Sequence, residues 1–191
     1  MAKPKHRDFS TVKTGHFCTL SMMAVAAMLL SGCGLQAAKI KMCPVTSVLA
    51  DTAVYPGFRA GAEGDPAGEA FMARLVNVTT DCDFDADKQR SDSSVELSFR
   101  ATRNPTGEGS TFSVPYYLAV TYAGQILTKR TFDVKFSFRP GESSTEFTAD
   151  VDSVLTQIDA GKLPYDYQIL VGLQLSESQL NYIRQMGRFT P

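Results

Sequence analysis

The chain has 191 residues, a formal net charge of −1 and no tryptophan. Its two histidines, His6 and His16, both lie near the amino terminus. Beyond residue 16, histidine-based catalytic triads and zinc sites are therefore excluded.

Charge separates the amino-terminal segment from the rest. Residues 1–16 carry Lys3, Lys5, Arg7 and Lys13 against Asp8, a net of +3, and the remainder carries −4. A mildly acidic remainder has no electrostatic footprint for nucleic acid. Next comes an apolar run of fourteen residues, Phe17 to Leu30 (FCTLSMMAVAAMLL). It falls short of the ~20 residues that a transmembrane helix needs. Basic residues, a short apolar run and then small residues fit a secretory signal peptide.

The run ends in Leu30-Ser31-Gly32-Cys33. This tetrapeptide resembles the lipobox of bacterial lipoproteins. The resemblance implies that Cys33 receives a diacylglyceryl group, that the chain is cut just before it, and that the new amino terminus is acylated. Cys18 lies at the start of the apolar run and would be removed. One acyl chain holds a protein marginally, at about 0.8 kcal/mol per buried methylene, and two or more hold it firmly. The residue after Cys33 is Gly34 rather than Asp, which by the same resemblance favours the outer membrane over the inner. The expected organisation is a signal peptide over 1–32, a lipidated tether over 33–42, and one domain over 43–191. The 159 residues from Cys33 to Pro191 suffice to bury about two-thirds of the unfolded surface.

Past the tether, extended segments alternate with turn signals. Val45–Ala50 is a short apolar run. Residues 55–68 read as a loop, with Pro56, Gly57, Gly61, Gly64, Pro66 and Gly68. Glu69–Thr80 is extended. Val95–Thr102 alternates cleanly, with Val95, Leu97, Phe99 and Ala101 on one face. Asn104–Ser110 is a turn cluster. Phe112–Tyr122 and Ile126–Phe138 follow, joined by Ala123-Gly124. In the second of these Phe132, Val134, Phe136 and Phe138 share a phase. Arg139-Pro140-Gly141-Glu142 predicts a type II turn, and Ser144–Val151 returns as a strand. Residues 152–164 are ambiguous. Tyr165–Leu175 is the last strand, and Ser176-Glu177-Ser178-Gln179 is a capping box opening a helix of about ten residues that stops at Gly187. About seven strands and one short carboxy-terminal helix predict an all-β, antiparallel sandwich, immunoglobulin-like or fibronectin III-like. A small β-barrel is the alternative.

The candidate sites are few. Cys43 and Cys82 remain after Cys18 and Cys33 are assigned, and an even pair in an oxidising compartment predicts a disulfide. Counting Asp81 as position 1, Asp83, Asp85 and Asp92 fall at positions 3, 5 and 12 of a calcium loop, but Ala86 stands where such a loop wants Gly, and Asp92 where it wants Glu. A solvated hairpin is the preferred reading, with no metal or other cofactor beyond the lipid on Cys33. Tyr117 is out of phase in its strand and is a candidate partner contact. Leu180, Ile183 and Met186 share one helix face; they either cap the sandwich or meet a partner, and the cap is preferred. Carboxylate-dependent catalysis remains as a minor alternative. The mature part resembles the small envelope lipoproteins of Gram-negative bacteria, from which no activity is carried over. The expected function is a non-catalytic scaffold, adaptor or binding module held on a membrane and working with an envelope protein. A ligand- or calcium-binding surface protein is the second reading.

Overall fold

Strands whose inward faces are apolar must bury them against another layer, and here two sheets supply it for each other. The structure, a computed structural model, describes residues 42–104 and 108–187, all within the compact unit Ile40–Pro191. The targeting segment, Cys33 and most of the tether lie outside the described residues. The strands are β1 (Val45–Val48), β2 (Val54–Phe58), β3 (Glu69–Asp85), β4 (Arg90–Thr102), β5 (Ser110–Tyr122), β6 (Gln125–Phe138), β7 (Ser144–Gln157) and β8 (Tyr167–Leu173), followed by helix α1 (Glu177–Met186). One sheet runs β1-β8-β5-β6 and the other β2-β3-β4-β7. All pairings are antiparallel except β1 with β8. The molecule is a two-sheet β-sandwich, not a closed barrel.

The inward phases are those that alternation predicts. Val95, Leu97, Phe99 and Ala101 of β4 are fully buried, as are Ile169, Val171 and Leu173 of β8. Phe136 of β6 joins the sheets: its ring stacks on Phe147 of β7 at 4.4 Å and meets Phe71 of β3 edge-on at 5.2 Å. Each such side chain contributes about 1.5–3 kcal/mol by burial.

Turn chemistry closes the hairpins as expected. Gly141 takes φ 74°, and the amide of Glu142 donates to the carbonyl of Arg139 at 3.1 Å. Ala123 and Gly124 both take positive φ, 48° and 78°, as a two-residue hairpin turn requires. At α1, Ser176 Oγ accepts from the Gln179 amide at 3.2 Å, and Gln179 Oε1 accepts from the Ser176 amide at 2.9 Å. Gly187 ends the helix in the left-handed region.

Besides the continuation of β3 to Asp85 and the parallel pairing of β1 with β8, three features differ from the sequence-based expectation. An eighth strand, β2, runs through Val54-Tyr55-Pro56-Gly57-Phe58, within the stretch read as loop. It is an edge strand, so Pro56 needs no second ladder bond, and its carbonyl accepts from Gln179 Nε2 at 2.8 Å. Gly57 is required because a Cβ there would lie 2.1 Å from the Phe71 ring. Second, β4 starts at Arg90 rather than Val95: its first inward residues are Ser91 and Ser93, which are buried but polar. Third, β7 continues to Gln157 through the ambiguous stretch.

Candidate functional site: an open flank between two edge strands

The disulfide forms. Cys43, just before β1, is bridged to Cys82 near the end of β3, with Cα atoms 5.8 Å apart. It ties the start of the described chain to the second sheet at the end of the sandwich that also holds the β3–β4 hairpin.

The four aspartates lie on strands rather than in a loop: Asp81, Asp83 and Asp92 line one shallow surface pocket with Asp152, and Asp85 lies outside it. Asp81, Asp83 and Asp85 lie at alternate positions along β3, so they follow one another along one face at about 6–7 Å intervals. Asp83 is directly opposite Asp92 of β4, and Asp85 opposite Arg90. Asp92 accepts from Ser153 Oγ at 2.7 Å. Asp85 accepts from Lys88 Nζ at 2.7 Å, and that bond holds its carboxyl below the usual range. Regular strand geometry replaces the tight winding that a calcium loop needs. Among the described residues, no group of three or more His, Cys, Asp or Glu could hold a metal ion.

Tyr117 is buried rather than displayed. It is 7% exposed, and its hydroxyl lies 3.0 Å from Thr52 Oγ1. Lys129 Nζ sits 4.4 Å from its ring centroid. The one-turn helix Ala50–Thr52 covers the outer face of the sheet here. Gly172 makes room for it: a Cβ there would lie 2.0 Å from Thr52 Oγ1 and 2.9 Å from the Tyr117 hydroxyl. Ile183 is likewise buried, in a cluster with Tyr182 and Val54 that Phe58, Met72 and Leu175 flank. Leu180 is half-buried and Met186 exposed. The helix therefore caps the β2–β3 edge. Tyr182 donates to Glu69 Oε2 at 2.8 Å, and Arg184 pairs with Asp51 at 3.0 Å.

The site that remains was not foreseen. β6 and β7 are the edge strands of the two sheets on one side of the sandwich, joined by the Arg139–Glu142 turn. Near that turn the inward side chains of β6 are buried against the facing sheet. Farther away they are not: every residue from Gln125 to Thr131 is exposed. The β5–β6 register shifts between Val120 and Thr121, and the β4–β7 register between Ser93 and Val95. Both irregularities fall at this level, and bulges bend the strand that carries them.

The divergence leaves an apolar groove of about 340 Å³. Leu118, Val120, Phe132, Val151 and Val154 line its depth; Thr128, Arg130, Ser153 and Leu155 complete it. Arg130, in the inward phase of β6, lies 5.0 Å from the Phe132 ring centroid. Among the described residues, no carboxylate, lysine or cysteine belongs to this lining. The groove can therefore take apolar groups and one counter-charge, and it has no acid–base pair for chemistry. The sequence carried one sign of it: the apolar phase Phe138, Phe136, Val134, Phe132 gives way to Arg130 and Thr128.

Comparison with known proteins gives no match: no family model fits the chain, and no curated protein and no solved structure matches it.

Proposed function

We propose that this is a lipid-anchored protein of the bacterial cell envelope that works without catalysis, as a scaffold, adaptor or binding module for another envelope protein. The carrying observation is Leu30-Ser31-Gly32-Cys33 at the end of a fourteen-residue apolar run preceded by basic residues. The anchor is the diacylglyceryl group and acylated amino terminus of Cys33, and Gly34 favours the outer membrane. The Cys43–Cys82 bridge supports an extracytoplasmic address, because such bonds persist in oxidising compartments. The groove between β6 and β7 supports a binding role, since it is concave and apolar with no catalytic pair in its lining.

Replacing Cys33 by Ala tests the address. The Cys33→Ala protein is expected to accumulate as uncut precursor and to take up no labelled fatty acid. A mature-sized product from that variant would contradict the reading.

A further inference from the structure

We propose that β6 pairs antiparallel with β6 of a second copy, continuing the β1-β8-β5-β6 sheet across a two-fold axis at Thr131. The strand is fourteen residues long, has one ladder partner among the described residues, β5, and contains neither Pro nor Gly. Its first half is exposed on both faces, including Ile126 at 64% and Leu127 at 56%. Bare edges are usually guarded by charge. Among the five centres from Lys129 to Asp133, the charges oppose four self-pairings and favour one.

In an antiparallel pair closed by a two-fold axis normal to the sheet, opposed residues point to the same face, and the axis passes through a residue facing its own copy. Centring on Lys129, Arg130 or Asp133 puts two like charges on the axis. Centring on Phe132 sets Lys129 against Lys135 twice. Centring on Thr131 sets Lys129 against Asp133 twice, and a neutral hydroxyl on the axis. Opposed unlike charges stabilise strand pairs and like charges destabilise them. Lys129 and Asp133 share the outer face of the sheet, and both are exposed. Lys129 is held in place by its contact with the Tyr117 ring.

Among the described residues, neighbouring elements leave the approach open. The exposed half of β6 stands away from β7 across the groove. The β7 edge carries exposed Asp150 and Asp152, with Glu146 beyond them paired to Arg100 at 2.6 Å; the two aspartates disfavour pairing with their own copy around that level.

The test uses the full-length chain in cells. Opposed Cα atoms on the axis lie about 4.5–5.5 Å apart, within disulfide reach, so Thr131→Cys is expected to give a single disulfide-linked dimer on a non-reducing gel. In that background Lys129→Asp and Asp133→Lys should each cut the dimer about tenfold, and the double variant should restore it. The Cys43–Cys82 bridge in each variant reports folding. The proposal is overturned if Thr131→Cys gives no dimer, or if folded single variants cross-link undiminished. It is equally overturned if the charge swap fails to restore the dimer. Basic β6 pairing head-to-tail with acidic β7 would set position 131 against a strand without cysteine and would show as no cross-link.

Discussion

The two halves of β6 share a partner strand and differ in what faces them. From Phe132 to Phe138, inward residues meet the opposite sheet, and Val134, Phe136 and Phe138 are buried. From Gln125 to Thr131 the same ladder with β5 continues, yet nothing is buried. Strand pairing alone thus does not make a core; an opposing layer does. The end of the sandwich that is open at β6 and β7 is fastened at the other edge, where Cys43 and Cys82 are joined.

Truncation should expose the contrast most strongly. Phe136→Ala is expected to cost about 3–5 kcal/mol in denaturant unfolding, whereas Ile126→Ser should stay within about 0.5 kcal/mol. Similar losses at both sites would mean that the flank is closed in solution.

The fastened edge comes next. A bridge closing a loop of about 40 residues stabilises by about 4 kcal/mol in the chain-entropy model. Cys43→Ser should therefore lower stability in oxidising buffer by roughly 2–4 kcal/mol and have little effect in reducing buffer. Equal losses in both buffers would show that the thiols contribute by packing and not by the bond.

The smallest effect lies at the junction of the two halves, where Tyr116 of β5 is opposite Phe132. Burial, with Asp150 and then Asp133 adding to it, raises its hydroxyl above the ordinary value of 10.0. The folded state then holds this proton more tightly than the unfolded chain does. Its contribution to stability is complete below pH 10 and is lost as pH rises through the raised value. Tyr116→Phe should flatten the fall in stability above pH 10. An unchanged alkaline profile would mean that the hydroxyl is as open to water as the flank beside it.

Much of the fold was legible because alternation is a local record of which face is buried. Val95 to Ala101, Phe132 to Phe138 and Tyr167 to Leu173 each announced an inward phase that the structure keeps. The capping box at Ser176 and the turn at Pro140-Gly141 are equally local. What escaped depends on distant partners. β2 looked like loop because Pro56 and Gly57 break strands elsewhere; their fitness is decided by an edge position, by Gln179 and by Phe71. The start of β4 was hidden by Ser91 and Ser93, polar residues turned inward whose hydroxyls have no hydrogen-bond partner among the described residues. Tyr117 was expected at the surface from its phase, and only the fold shows Thr52 above it and Gly172 making room. The groove needed two bulges in two sheets to coincide, which no single segment records.

Whether the chain is lipid-anchored is decided most directly by the mass of the amino-terminal peptide of the protein recovered from membranes. The expected peptide begins at Cys33 and carries a diacylglyceryl group on its thiol and an acyl chain on its amino group. A peptide that begins elsewhere, or a Cys33 with an unmodified thiol, would contradict it.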